Sequence, residues 1–208
     1  MKLVKNQKPA KKPNKPQHTL YQLKIRLLDS PLPIWRRVVI RADAPLLLVH
    51  EIIQISMGWW NTHLYEFQSD GRRFGDVDLK EANKALEDDT KFHLNDLLEN
   101  IGDRFQYIYD HGDDWRHEVV LEHVLITEEE FGLAACIVGR RACPPEDVGG
   151  PEGYRMFLDV IEDPQHDDRI NQLEWAGGDF DPNSFDIRGV NLRLLQLHEE
   201  LLDAALTE

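Results

Sequence analysis

The stretch TLYQLKIRLLDSPLPIWRRVVI, residues 19–40, decides the fold class because it carries the two-residue period of a β-strand twice. In its first half apolar side chains alternate with polar ones, and the apolar positions are Tyr21, Leu23, Ile25 and Leu27. Such alternation is typical of a strand with one buried face. Ser-Pro-Leu-Pro at residues 30–33 interrupts the pattern, and the β-branched run of residues 34–40 resumes it. The stretch therefore predicts a β-hairpin, and with it an antiparallel sheet.

Helical periods follow this hairpin. Asp43 and Pro45 are typical of a helix start with a capping acid and a proline in the first turn. The apolar residues of this first helix are Leu46, Val49, Ile53 and Met57. Gly58 stands where a glycine commonly ends a helix. Further helices are predicted over residues 94–101, 154–161 and 187–205.

Further strands lie between these helices. His63, Tyr65 and Phe67 share one face of a strand, and residues 105–109 and 115–121 form a hairpin around the turn DHGDD. Residues 69–89 are polar and read as a loop or an irregular hairpin, and residues 127–150 lack a sustained period.

Hairpins with interspersed helices favour an α+β fold over strict βαβ alternation. We predict a single domain over residues 18–208, with a largely antiparallel sheet of about five or six strands and about four helices. Residues 1–17 form a Lys/Pro-rich segment whose composition predicts disorder.

The composition excludes several protein classes. Hydrophobic residues make up 41% of the 208, which is ordinary for a globular protein. No run approaches the roughly 20 apolar residues of a membrane span, and the lysine-rich start lacks the apolar core of a secretory signal. Cys136 and Cys143 are too few for a disulfide framework or, without other ligands, for a zinc site. A cytoplasmic protein that does not engage a membrane is expected.

Charge is distributed unevenly along the chain. The net charge is −14, yet residues 1–16 contain six lysines and no acid. Without those lysines, 18 basic residues remain against 38 acidic ones. The body of the protein should repel nucleic acid, whereas the basic segment could attract it or the chain's own acidic surface.

The loop ACPPEDVGGPEGY, residues 142–154, allows two interpretations. Its glycines precede a helix start, where free N–H groups can bind an anion. However, Glu146, Asp147 and Glu152 repel phosphate, and no Lys or Ser/Thr stands where a P-loop places it. Stiff prolines, permissive glycines and Pro151 in the first helical turn favour a structural connection.

The turn YDHGDDW, residues 109–115, is also ambiguous. The candidate metal ligands are Asp110, His111, Asp113 and His117, since oxygen and imidazole donors suit divalent cations. The same Asp and Gly content is what a tight turn between two strands requires. His117 and His123 are predicted on the apolar face of the following strand, where a histidine is usually a core residue, and His63 shares that ambiguity. The sequence contains no G-x-S-x-G, H-E-x-x-H, G-x-G-x-x-G or D-x-D-x-D-G motif. None of its four serines has His and Asp partners evident in the sequence, so nucleophilic catalysis is not indicated.

Five motifs in series resemble the plasmid pRiA4b ORF-3-like family: YQLKIRLLDSPLPIWRRVVI, HEIIQISMGWWNTHLYEF, YDHGDDWRHEVVLE, GRRACPPEDVGGPEGY and FDPNSFDIRGVN. The resemblance covers about residues 19–195. It implies an α+β domain of unassigned activity, found in bacteria and archaea on plasmids, beside insertion elements and on chromosomes. Some members carry a resolvase-like name, but this chain lacks the N-terminal nucleophilic serine of a serine recombinase, so recombinase activity is not supported. Val148 stands where the family often has a second cysteine, which weakens a thiol-based metal site, and His111 stands where phenylalanine is frequent.

The leading hypothesis is a non-enzymatic accessory or binding domain that engages a protein or a small ligand through acidic and aromatic loops. Its candidate binding residues are His63, Tyr65, Asp110, Asp113, Asp114, Trp115, His117, Cys143, Glu146, Asp147 and Tyr154. This hypothesis requires no cofactor. The alternative is a metal-dependent, hydrolase-like enzyme that uses Asp110, Asp113, His117 and Glu146 in the 109–117 and 143–152 loops. A third hypothesis is nucleic-acid contact through the basic N-terminal segment.

Overall fold

A computed structural model describes residues 17–76 and 86–207, and these form an α+β fold around one mixed sheet. The strands are β1 His18–Leu27, β2 Trp35–Arg41, β3 Tyr65–Ser69, β4 Arg72–Gly75, β5 Leu86–Asp88, β6 Arg104–Tyr109, β7 Trp115–Thr127 and β8 Ala134–Arg140. The helices are α1 Leu46–Met57, α2 Leu94–Leu97, α3 Gly150–Glu162, α4 Arg169–Trp175 and α5 Ile187–Thr207. Residues 1–16 of the predicted Lys/Pro-rich segment lie outside the described residues.

The sheet has eight strands in the order β5-β4-β3-β6-β7-β1-β2-β8, and every neighbouring pair is antiparallel except β4 and β5. The predicted fold class and antiparallel character are thus confirmed, with more strands than the five or six expected. One added strand comes from the polar segment after Ser69, where a tight turn at Asp70 and Gly71 with positive φ joins β3 to β4. Another is β8, which pairs along β2 although its sequence lacks alternation.

The opening hairpin forms as predicted, with Leu23 opposite Val38 in the β1–β2 register. The alternating apolar residues of β1 enter the core that the sheet shares with α1 and α3. Helix α1 also has the predicted core residues and ends at Gly58, whose φ is 107°. The predicted cap is wrong: Asp43 accepts two hydrogen bonds from Arg41 at 2.9 and 2.8 Å, and Pro45 is the N-cap residue.

Strand β7 contains an irregularity that changes which face its later residues occupy. The register with β1 pairs Leu23 with Leu121 but Gln22 with His123, so Glu122 is an extra residue. This bulge reverses the alternation beyond it. His123 is exposed as a result, which corrects its predicted place on the apolar face.

The helices differ from the prediction mainly in extent. Helix α2 ends at Leu97, four residues before the predicted end, because Asp103 accepts the N–H groups of Glu99 and Asn100 and holds them in a turn. Helix α4 was not predicted. No helix among the described residues is both long and apolar enough to cross a membrane.

Candidate functional site

The loop between β6 and β7 is held by its own aspartates. Asp110 and Asp114 both adopt left-handed backbone conformations with φ of 54°. Asp110 Oδ1 accepts the N–H of Gly112 at 2.8 Å, and Asp114 donates its N–H to the Asp110 carbonyl at 2.6 Å. This turn leaves the other carboxylate oxygen of Asp110 free to face away from the turn.

The second acidic loop, between β8 and α3, contacts the first. Asp113 Oδ2 accepts the N–H of Gly149 at 3.1 Å, directly before α3. Gly150 has a φ of 69°, and a Cβ at this position would lie 2.6 Å from the backbone oxygen of Asp113. Only glycine permits this approach, so the two acidic loops contact each other through backbone as well as side chains.

Where the loops meet, carboxylates surround one imidazole. His63 Nε2 lies 3.0 Å from Asp147 Oδ1, 3.8 Å from Asp110 Oδ2 and 3.9 Å from Glu146 Oε2. His63 comes from the segment before β3, so three distant parts of the chain meet here. We call His63, Asp110, Glu146 and Asp147 the junction cluster.

His63 Nε2 has no hydrogen-bond partner among the described residues, although the atom itself is shielded from solvent. The 3.0 Å approach to Asp147 is close in distance but lacks the geometry of a hydrogen bond. A shielded nitrogen that faces carboxylate oxygens without bonding to them leaves its lone pair or proton unused.

Glu146 is the best anchored acid of the junction cluster. Its Oε1 accepts the N–H of Trp60 at 2.9 Å and the hydroxyl of Tyr109 at 3.1 Å. Tyr109 in turn accepts the N–H of Thr62 at 3.0 Å, and burial raises the pKa of this phenol. Tyr109 therefore remains a neutral donor that fixes the carboxylate.

An aromatic pocket of about 390 Å³ opens beside the junction cluster. Its lining residues include Trp59, Trp60, Trp175, Phe180, Glu146 and Asp147. Trp59 is buried, whereas Trp60 is 76% exposed. The pocket thus combines flat apolar walls with a negatively charged edge.

The model of the plasmid pRiA4b ORF-3-like protein family matches residues 19–189. The chain belongs to this family. It is 34% identical over 165 residues to the uncharacterized protein y4hQ of Sinorhizobium fredii, an alignment that covers 78% of this chain and 84% of that protein. The crystal structure of the protein of unknown function MM3350 from Methanosarcina mazei Go1 matches with a TM-score of 0.73 and 33% identity, over 82% of this chain and 97% of that one.

In this pRiA4b ORF-3-like chain, several candidate residues lie in the core rather than at the junction cluster. Trp115 and His117 are buried, and His117 Nδ1 lies 3.2 Å from the carbonyl oxygen of Tyr107. Burial lowers the pKa of His117 to about 4, so it is neutral at pH 7. Tyr65 is also buried and donates its hydroxyl to Asp89 at 2.6 Å.

The other candidates support the two loops. Burial raises the pKa of the Cys143 thiol and of the Tyr154 phenol, so neither ionises at neutral pH. Asp114 pairs with the exposed Arg116 at 2.7 Å, and His111 is exposed. Of the metal ligands considered from the sequence, Asp110 lies in the junction cluster. Asp113 lies outside it, because its carboxylate accepts the N–H of Gly149 at the start of α3.

Sequence reasoning missed the aromatic walls of this pRiA4b ORF-3-like site. Trp175 ends α4, and Phe180 lies in the connection that follows, both in a segment without a predicted element. The exposure of Trp60 could have been predicted from the sequence. Trp59 and Trp60 are adjacent after a helix-ending glycine, and neighbouring side chains point to different sides of the chain, so both cannot be buried in the same core.

Proposed function

We propose that this chain is a binding domain whose site is the junction cluster with its adjoining aromatic pocket, and that a divalent metal ion forms part of the site. One observation carries the proposal. A nitrogen of His63 and oxygens of Asp110 and Asp147 all lie within 4.8 Å of one another.

The spacing of these atoms supports a metal ion of the zinc or manganese type. Metal bonds of roughly 2.0–2.2 Å place neighbouring ligand atoms about 3 to 3.5 Å apart. The separations of 3.0 and 3.8 Å from His63 Nε2 to Asp147 and Asp110 are within a small side-chain movement of that range. One imidazole with carboxylates suits such metals better than calcium, which prefers oxygen ligands alone.

Electrostatics also favour a cation here. The three acids of the junction cluster have no Lys or Arg within 4 Å among the described residues, and their one basic neighbour is His63. Asp110 and Glu146 are largely buried, with side chains 12% and 13% exposed, so solvent screens their repulsion only partly. A divalent ion would offset that repulsion.

Three protein ligands leave coordination positions open for water or for an organic ligand. The aromatic pocket supports such a ligand, because Trp60 and Trp175 offer flat apolar surface next to Asp147. We therefore expect a small molecule or a partner side chain that combines a metal-binding group with a planar or apolar body.

Metal analysis and calorimetric titration test the proposal. Tag-free protein stripped with chelator is titrated separately with Zn²⁺, Mn²⁺ and Mg²⁺. We expect about one bound Zn²⁺ or Mn²⁺ per chain, and weakening of at least about a hundredfold in His63→Ala and Asp147→Asn, since even outer-shell losses cost 10- to 100-fold. The matched controls are His123→Ala and Asp167→Asn, which change exposed residues outside the cluster and should bind as the parent chain does. Equal binding by all four variants, or none by the parent chain, contradicts the proposal.

A second candidate function is metal-dependent hydrolysis, with Glu146 as the general base. The observation that favours it is the anchoring of Glu146 by Trp60 and Tyr109 at 3.9 Å from His63 Nε2, because a fixed carboxylate beside an open metal position can take a proton from bound water. The test is turnover of chromogenic phosphodiesters and esters by Zn²⁺- or Mn²⁺-loaded protein. Loss of turnover in Glu146→Gln with metal content retained supports hydrolysis. A rate in the parent chain no higher than in Glu146→Gln removes this candidate and leaves the binding proposal in place.

A further inference from the structure

Helix α5 has one apolar side in the core and a second one on the surface. Leu194 is 1% exposed, and Ile187, Val190 and Leu197 pack against the core beside it. A second stripe is exposed and consists of Leu192 at 54%, Leu195 at 51%, Leu202 at 52% and Leu206 at 83%. We call this second set the outer stripe.

The outer stripe has the spacing of a coiled-coil seam. Together with Arg188 and Glu199, its residues alternate steps of four and three along the helix, which is the a/d pattern of a heptad repeat. Residues 201–206 are exposed on every side, so the last part of α5 extends past the body of the domain. A single surface helix needs one apolar stripe, and α5 has two.

Two charges in the line of the outer stripe indicate what covers it. Arg188 and Glu199 are exposed, and neither forms an ion pair with another described residue. In a parallel, in-register pair of α5 helices, Arg188 would face Arg188 and Glu199 would face Glu199. In an antiparallel pair with Leu192 against the partner's Leu195, each Arg188 lies opposite the partner's Glu199.

We propose that α5 is the interface of a homodimer in which the outer stripes of two copies pair antiparallel. The four leucines at positions 192 and 195 of the two copies form the centre, and an Arg188–Glu199 ion pair flanks this centre on each side. Leu202 and Leu206 lie beyond these ion pairs, opposite the segment that precedes α5 in the second copy. The helix is thus complementary to a second copy of itself about a two-fold axis, as a symmetric dimer interface requires.

The experiment is sedimentation velocity and light scattering of the full chain over a wide concentration range. We expect a concentration-dependent dimer. Arg188→Glu and Glu199→Arg should each raise the dimer Kd by about tenfold or more, because each places like charges opposite one another. The double variant R188E/E199R should return the dimer Kd to within about threefold of the parent value.

Leu195→Glu tests the apolar centre, and Ile101→Glu is its matched control. Both replace an exposed apolar residue, with Ile101 64% exposed and outside the outer stripe. L195E should be monomeric and I101E dimeric, with circular dichroism and thermal melting confirming that both are folded. A parent chain that stays monomeric throughout, a dimer that persists in L195E, or a double reversal that fails to restore pairing overturns the proposal. Pairing of α5 with a different protein while the parent chain remains monomeric overturns it as well.

Discussion

At the scale of single residues, Gly150 connects local backbone geometry to the site. Its positive φ and its approach to the Asp113 carbonyl hold the second acidic loop against the first. Asp113 completes this contact by accepting the N–H of Gly149. A side chain at residue 150 should therefore push apart the loops that carry Asp110 and Asp147.

Gly150→Ala should destabilise the protein by about 2 kcal/mol more than Gly177→Ala, because a steric overlap is added to the backbone strain. Both residues have positive φ, which costs a side chain roughly 1–2 kcal/mol. Only at residue 150 would the new Cβ also meet backbone, since nothing lies within 4 Å of a Cβ at Gly177. Urea denaturation of the two variants and the parent chain measures the difference. Equal losses of unfolding free energy in the two variants would show that the contact between Gly150 and Asp113 does not stabilise the protein.

Two buried histidines set the expected response to acid. Burial lowers the pKa values of His50 and His117 from 6.5 to about 4. Below pH 6.5 the unfolded chain takes up these protons while the folded chain does not, so stability is present above pH 6.5 and is lost as the pH falls toward 4. The loss should reach about 3 kcal/mol per histidine.

Chemical denaturation at pH 7, 6 and 5 checks this prediction. The stability difference between pH 7 and pH 5 should shrink in His117→Gln and His50→Gln and stay unchanged in His123→Gln, whose side chain is exposed. A pH response identical in all three variants would assign the acid sensitivity to other groups.

At the scale of elements, Arg36 of β2 joins four parts of the fold. It is 1% exposed, and its guanidinium donates to the carbonyls of Ser56, Arg140 and Arg141 at 2.7, 2.9 and 2.9 Å. Phe185 stacks on it with the guanidinium carbon 3.9 Å from the ring centroid. The Arg36 side chain therefore connects the end of α1, the end of β8, the loop that leads to the junction cluster and the segment before α5.

Arg36→Lys should cost about 3 kcal/mol or more, because an ammonium cannot satisfy these diverging carbonyls and leaves some buried without a partner. Arg37→Lys is the matched control. Arg37 pairs with Glu122 at the surface of the same strand, and its change should cost less than about 1 kcal/mol. Thermal melts of both variants compare the two losses, and similar values would contradict the role of Arg36.

The elements predicted from the sequence are those whose periods are strong and local. β1 and α1 repeat their apolar residues over several pleats or turns, so the pattern sets both the type of element and its buried face, whereas the β-branched run of β2 indicates only a strand. β8 could not be predicted this way, because its pairing with β2 and not its own alternation makes it a strand. The bulge at Glu122 was also invisible, since it is a property of the β1–β7 register rather than of either strand alone.

At the scale of the whole molecule, the candidate site was predictable in its residue types but not in its assembly. The sequence pointed to both acidic loops and to His63, yet the contact among His63, Asp110 and Asp147 depends on how β3, β6 and α3 are placed by the sheet. The pocket walls from α4 required tertiary structure altogether, because Trp175 belongs to a helix with no buried residue of its own.

The overall charge predicts how the protein behaves toward nucleic acid. A chain of net charge −14 should not be retained on DNA at physiological salt. Any retention at low salt should disappear on deletion of residues 1–16, which hold six of the 24 basic residues. A salt series on immobilised duplex DNA with both chains measures this. Retention of the shortened chain would place a basic contact surface in the body instead. The cytoplasmic location expected from the sequence stays a prediction.

The meeting of three distant segments at His63 also has a consequence for biosynthesis. A nascent chain that ends before Asp147 already contains His63 and Asp110, but it lacks Asp147 and also Gly149, whose N–H joins the second acidic loop to Asp113. Any ion that the junction cluster binds would therefore be acquired after most of the polypeptide has been translated, and its uptake would report that the three segments have come together.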